Sequence, residues 1–222
     1  MVELRTPTVA AFDLDGTLTE GGSVFKWLRR LTGSPAVFRA ALRLAVPLVV
    51  GALRSGAYAD AAKERLFRSL LAGRNVHEVN AASREFALEH LARKGRPQIL
   101  ARLNWHLEQD HDVVIVSASP QMYVDEIAHV LQAAGALGTR LGVDPLDKLT
   151  GGYLGKNCRG SEKLRRLTEW IEQRNYAGEP VIFAYGNSRG DKRLLDAATH
   201  PINAGRLGKL GALRRFPRVA RD

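Results

Sequence analysis

"TVAAFDLDGTLTE", residues 8–20, is the stretch whose reading decides the fold. Residues 8–13 are apolar up to Asp13 and too short for a helix, which reads as a buried strand. Asp15-Gly16 then turns the chain. Asp13 therefore ends a strand, and Asp15 follows two residues later across a turn. Two carboxylates share the edge of a hydrophobic core, in a chain whose formal net charge is +10.

Outward from this stretch the pattern changes twice. From Val24 to about Gly95, "SVFKWLRRL", "AVFRAALRLAVPLVVGAL", "AYADAAKERLFRSLLAG" and "VHEVNAASREFALEHLARKG" are helical in period and divided by Gly, Pro and Ser. Nothing between them reads as a strand. After Pro97 helices and strands alternate. A helix from about Pro97 to Gln109 leads into the β-branched run "DVVIVSAS", a buried parallel-type strand. A helix from about Pro120 to Ala134 follows, then a small hairpin in "TRLGVDPLDKLTGGYLG". The series closes with a helix from Ser161 to Arg174, the strand "PVIFAYG" and a helix from about Asp191 to Ala198.

This order predicts an α/β fold, a Rossmann-like parallel sheet with an all-helical insertion after its first strand. Residues 1–21 and 97–204 would form the core, residues 22–96 the insertion and residues 205–222 a basic tail. In open parallel sheets the ligand crevice lies at the carboxyl ends of the strands. Three strands here end in polar residues: Asp13, Ser117 and Gly186-Asn187.

Composition bounds the partners. At 222 residues, 45% hydrophobic and 25% charged, the chain suits one large domain or a core with an insertion. Its basicity is local: residues 22–96 hold 14 Lys and Arg against 5 Asp and Glu, and residues 205–222 hold 6 against 1. The single cysteine, Cys158, excludes an internal disulfide framework and suits a reducing cytoplasm. The first twenty residues carry four acidic side chains and no extended apolar run, unlike a secretory signal. "LAVPLVVGAL", residues 44–53, is the most apolar stretch. Its ten residues fall well short of the ~20 of a spanning helix. The histidines lack metal-site spacing, and no Walker A or dinucleotide fingerprint is present. No basic groove interleaved with aromatics is visible, so no nucleic-acid partner is expected.

The strand ends carry the chemistry. A carboxylate such as Asp13 can attack phosphorus and split one hard hydrolysis into two easier steps. A neighbouring acid, Asp15, can protonate the leaving oxygen and then take a proton from water. Crowded carboxylates call for a divalent cation. The Ser117 hydroxyl and the backbone N–H of Ala118 can hold phosphate oxygens, while Ser119 before Pro120 reads as the helix cap. Lys163 can neutralise a phosphate oxygen and Asp13. Asn187 and Asp191, among glycines 186 and 190, can serve a hard cation.

Taken together, "FDLDGTLT", "VIVSAS", "GSEK" and "YGNSRGD" resemble the four motifs of the haloacid dehalogenase superfamily. The helical insertion resembles the cap of its phosphoserine-phosphatase-like branch. The resemblance implies Asp13 as nucleophile, Asp15 as general acid/base, and Ser117, Ala118 and Lys163 as phosphate-binding. It implies Mg2+ held by Asp13, the backbone carbonyl of Asp15 and Asn187, with Asp191 in support. Two departures stand out. The fourth motif reads Gly-Asn where the family has Gly-Asp. The glutamate that phosphoserine-specific members carry nine residues after the nucleophile is Gly22 here, with Glu20 two residues early.

The substrate class expected is a small phosphorylated metabolite. The positive cap favours anions by steering, and Lys63 and Arg65 are candidates to reach the site. Residues 44–53, flanked by Arg43 and Arg54, read equally as an apolar segment for an anionic membrane surface or as the cap's own packing or a homodimer contact. The first of these resembles phosphatidylglycerophosphate phosphatases and would make the protein peripheral to a membrane. A third expectation is a phosphate-binding module that has lost turnover through Asn187. The tail reads as a solvated end.

Overall fold

A computed structural model describes residues 6–46, 49–50, 56–206 and 211–219. Strand β1 (Thr8–Phe12) is apolar on both faces because both faces are covered. Val9 and Ala11 enter one hydrophobic cluster, and Ala10 and Phe12 enter the other. The alternation follows from the period of two along a strand. The next strand along the chain, β2 (Asp112–Pro120), divides its residues in the same way, Val114 and Val116 against Val113 and Ile115.

β1 is the middle of a five-stranded sheet in which every pairing is parallel. β3 (Gly135–Thr139) lies outside β2, while β6 (Val181–Gly186) and then β7 (His200–Asn203) lie on the other side of β1. Phe12 is in register with Ile115 on one neighbour and Tyr185 on the other. The polar residues that follow these three therefore emerge side by side at one edge. A separate antiparallel pair, β4 (Leu141–Val143) and β5 (Leu149–Tyr153), is the expected hairpin.

The insertion between β1 and the return to the sheet includes the helices α1 (Val24–Thr32), α2 (Ser34–Arg43), α3 (Ala57–Leu71) and α4 (Val76–Lys94). Asn75 caps α4 by accepting from the backbone N–H groups of His77 and Glu78. No strand occurs among the described residues of this insertion. The chain leaves and re-enters the sheet at adjacent points, with Glu20 N donating to Lys94 O at 2.7 Å and Arg96 N to Leu18 O at 2.8 Å. Helices α5 (Pro97–Glu108), α6 (Gln121–Val130), α7 (Ser161–Gln173) and α8 (Lys192–Ala197) complete the sheet's crossovers and flanks.

Two expectations change. The strands β3 and β7 were not legible: "GALGT" offers little apolar alternation, and "HPIN" carries a proline, which the sheet accepts at its edge. The tail is not simply solvated. Leu213 is buried in the second cluster, Asn203 N donates to Pro217 O and Asn203 Nδ2 to Leu213 O. Residues 44–53 lie partly outside the described residues. Of their surroundings, Phe38, Leu42, Val46 and Val49 are exposed. No helix among the described residues is long and apolar enough to cross a membrane. Cys158 is buried without a disulfide, and burial pushes its thiol up, as befits packing rather than reactivity.

Candidate active site

Asp13 follows β1 directly, and its N–H still donates to Tyr185 O on the neighbouring strand at 2.9 Å. The chain then folds into a tight loop, in which Gly16 N donates to Thr19 O and Thr19 N to Leu14 O. Gly16 adopts φ +84°, where a side chain is strained, and the space above it is filled by Asn187. The Arg96 guanidinium holds the loop from outside, donating through Nη1 to the carbonyls of Gly16, Thr17 and Ala204.

The Asp13 carboxylate accepts from Thr17 Oγ1 at 2.9 Å and from Lys163 Nζ at 2.6 Å. Lys163 comes from the first turn of α7 and reaches Asp191 Oδ1 at 2.6 Å as well. All three groups are buried. The second oxygen of Asp191 collects the N–H groups of Asn187 and Ser188 and the Ser188 hydroxyl, closing the loop after β6. Asp191 thus spends both oxygens on the lysine and its own loop.

Burial raises the Asp13 carboxyl well above the carboxylate range, and the charge of Asp191 adds to the rise while Lys163 opposes it. Burial works against ionisation of Asp191 also, but Lys163 and the Ser188 hydrogen bonds outweigh it and hold that carboxyl low. Lys163 meets the same penalty, and its two carboxylate partners keep it protonated. With both carboxylates ionised, one buried cation stands between two buried anions, and a further cation would balance the surplus charge.

Asp15 is held from two directions. Its Oδ2 accepts from Ser119 Oγ at 2.6 Å and from Ser23 Oγ at 2.9 Å. Ser119 is therefore not the helix cap the sequence suggested: α6 starts after Pro120, and no side chain caps it. Ser117, buried, accepts from Ser119 N through its hydroxyl. It stands just beyond the point where β2 and β3 lose regular pairing at Val116.

Asp13, Asp15, Ser117, Ala118, Lys163 and Asp191 line one cavity of about 120 Å³, together with Arg159, Ser188 and Gly190. At about 30 Å³ per water, that is room for a phosphoryl group. Asn187 does not line the cavity. Its Oδ1 is nevertheless buried with no hydrogen-bond partner, as is Oδ1 of Asp15. Buried polar atoms normally find partners, and a bare amide oxygen is a fitting ligand for a hard cation. No group of three His, Cys, Asp or Glu side chains among the described residues forms a metal site alone. An amide and a backbone carbonyl would have to complete it.

Of the residues proposed to reach in from the insertion, Lys63 approaches the cavity and Arg65 does not. Lys63 Nζ donates to Ala118 O at 2.7 Å and to Asn157 Oδ1 at 2.8 Å. Burial lowers it to about 8, against the pull of Asp60 and Asp15. Arg65 is exposed. Glu20 pairs with Arg206 of the tail, and Gly22 is exposed with open space around it. Sequence reading missed Arg159, four residues before Lys163, and Ser23, which only the tertiary fold brings to Asp15.

Comparison with known proteins now decides the family. Residues 10–196 match the model of the haloacid dehalogenase-like hydrolases. The chain belongs to the haloacid dehalogenase-like hydrolases. Within reach of this family, it is 33% identical over 195 residues to Protein CicA of Caulobacter vibrioides, covering 86% of this chain and 83% of that one. A Bordetella pertussis protein of unknown function has the same fold, with a TM-score of 0.79 at 24% identity over 97% of this chain and 99% of that one. A substrate-bound phosphoserine phosphatase gives a TM-score of 0.65 at 16% identity, over 98% and 95%. A hydrolase of this family therefore shares the phosphoserine-phosphatase-like architecture that the helical insertion suggested.

Proposed function

We propose that the chain, a phosphatase of this family, hydrolyses a small phosphomonoester through an aspartyl-phosphate on Asp13, with Mg2+ bound. The observation that carries the reading is Asp13 facing a cavity of phosphoryl size with the Lys163 ammonium 2.6 Å away. In the first step an oxygen of Asp13 bonds to phosphorus as the bond from phosphorus to the leaving oxygen breaks, and Asp15 gives its proton to that leaving oxygen, which departs as the alcohol. In the second, water attacks phosphorus, Asp15 takes a proton from it, and the bond from phosphorus to the Asp13 oxygen breaks, which releases inorganic phosphate and restores the carboxylate. Ser117 Oγ, the Ala118 N–H and Lys163 bind the phosphoryl oxygens.

Asp13, the backbone carbonyl of Asp15 and Asn187 would hold the Mg2+, with Asp191 in support. When bound, it supplies positive charge against the phosphate and the two carboxylates. The unpartnered Asn187 Oδ1 supports this assignment. Residues 22–96 act as the cap over the core of residues 1–21 and 97–204, with Lys63 as their contact beside the cavity. Gly22 offers nothing to a substrate amino group, which argues against phosphoserine as the dedicated substrate.

Hydrolysis of an aryl phosphate with and without Mg2+, in wild type and Asp13→Asn, tests this reading. Activity that needs Mg2+ and vanishes in the variant supports it. Activity surviving the substitution removes Asp13 as nucleophile, and inactivity of both proteins at saturating Mg2+ favours a phosphate-binding module. A screen of phosphorylated metabolites then names the substrate.

A second reading keeps the chemistry and makes the substrate a lipid phosphate at an anionic membrane. Phe38, Leu42, Val46 and Val49 are exposed, with Arg39 and Arg43 exposed beside them, which favours it. Flotation with anionic vesicles, with and without residues 40–54, decides between the two substrates.

A further inference from the structure

A second cavity, of about 440 Å³, lies between α1 and α4 and shares no lining residue with the phosphate-sized one. Five cationic side chains line it: Lys26, Arg29 and Arg30 from α1, Arg93 and Lys94 from α4. Its one carboxylate, Glu89, is shared by Arg30 at 3.1 Å and Arg93 at 3.0 Å. Arg30 also reaches Glu85, and Arg29 Nε donates to Ser34 Oγ. Lys26 and Lys94 have no ion pair among the described residues.

His90 lines the same cavity, only 4% exposed, with its Nε2 buried and without a hydrogen-bond partner. Its ring is fixed by stacking on Phe86, 5.2 Å away and 13° from parallel. Burial first, and then the ammonium groups of Lys26 and Lys94, hold the ring below its ordinary pKa against the charge of Asp15. Both lysines therefore disfavour a charged ring at this position. A neutral ring can present an N–H to an acceptor, and a concave surface lined by one sign of charge concentrates counter-ions. One group would answer all three unsatisfied features, and it is an oxygen-bearing anion.

We propose that this cavity is a second binding site, for a small oxyanion: a carboxylate or phosphate group, free or carried on a metabolite. His90 Nε2 donates the hydrogen bond, and Lys26 and Lys94 supply the charge. The site sits where an occupant would be felt by the catalytic loop. Helix α1 begins just after Ser23, which bonds Asp15, and α4 ends at Lys94, whose carbonyl accepts from Glu20 N. An anion between Lys26 and Lys94 draws together the two points at which the insertion joins the sheet.

Histidine-selective NMR of the full chain tests binding without reference to activity. The probes are sodium sulfate and sodium succinate, with sodium chloride at matched ionic strength, and His90→Gln assigns the resonance. The expected result is a saturable shift of the His90 signal with an oxyanion and none with chloride. The Lys26→Met/Lys94→Met double variant loses the saturation while keeping the wild-type melting temperature, since Lys26 is exposed and Lys94 only half-buried. Ser117→Ala leaves the titration unchanged. Saturation by sulfate or by succinate supports the site, and the tighter of the two identifies its ligand class. No saturable shift, an equal shift with chloride, or loss of the shift in Ser117→Ala overturns it.

Discussion

A β-carbon on residue 16 would lie 1.9 Å from Asn187 Nδ2, so the glycine of the first loop is the socket for the amide of the last. Two motifs some 170 residues apart in the chain are fitted to each other through an absent side chain. Gly16→Ala should therefore cost about 1–3 kcal/mol through backbone strain, and it should displace Asn187. Turnover is expected to fall further than thermal stability does, when both are measured at a temperature where the variant is folded. Wild-type turnover in this variant would show that Asn187 need not occupy its place.

Lys163 neutralises two buried carboxylates at once. Its replacement by methionine leaves both without a cation, and breaking a buried pair in this way costs about 3–5 kcal/mol. Urea unfolding of Lys163→Met should register a loss of this size, and Asp191→Asn in the same background should recover part of it. Loss without recovery would locate the damage in packing instead of charge.

In the proposed metal site Asn187 would supply a neutral oxygen where the motif it resembles has a carboxylate. Asn187→Asp is expected to lower the Mg2+ concentration for half-maximal activity, and Asn187→Leu to raise it or abolish activity. Chelation should stop turnover, and Mg2+ should restore it. A magnesium dependence unchanged across these variants would remove residue 187 from the metal site.

His106 is fully buried, and its ring nitrogens meet His111 Nδ1 and Tyr185 Oη, each at 2.8 Å. Burial, then the nearby charges of His111 and Arg102, lower it to about 3. Between that value and its unfolded pKa near 6.5 the unfolded chain binds the extra proton, so stability falls as pH drops through this window. Each unit is worth about 1.4 kcal/mol at most. Tyr185, whose hydroxyl meets His106, also accepts the Asp13 N–H through its carbonyl, so this pair lies directly beneath the site. His106→Gln should flatten the stability profile from pH 6 to 4; an equally steep profile would assign the acid sensitivity to other groups.

The sheet's centre was legible because β1, β2 and β6 lie inside the sheet and carry the apolar runs 9–12, 113–116 and 181–184. β3 was hidden by its own packing. Gly135 lies so close to Trp170 that a β-carbon would stand 2.6 Å from the indole nitrogen, so the strand carries small residues and shows no alternation. β7 is an edge, where Pro201 costs no sheet hydrogen bond that a neighbour requires. At the site, Asp13, Asp15, Ser117, Lys163 and Asp191 each stand at a strand or helix end, where local pattern marks them. Ser23 and Ser119 were misread or passed over because a serine near a helix start has an ordinary local use. Only the three-dimensional fold shows both hydroxyls turned to Asp15.

Trapping of the phosphoenzyme tests the central claim most directly. Borohydride reduces an acyl phosphate, so quenching turnover with it and mapping peptides by mass spectrometry should reveal Asp13 reduced to homoserine, in the presence of substrate and Mg2+ only. Modification at another residue, or none during steady turnover, would contradict the assignment of Asp13 as nucleophile.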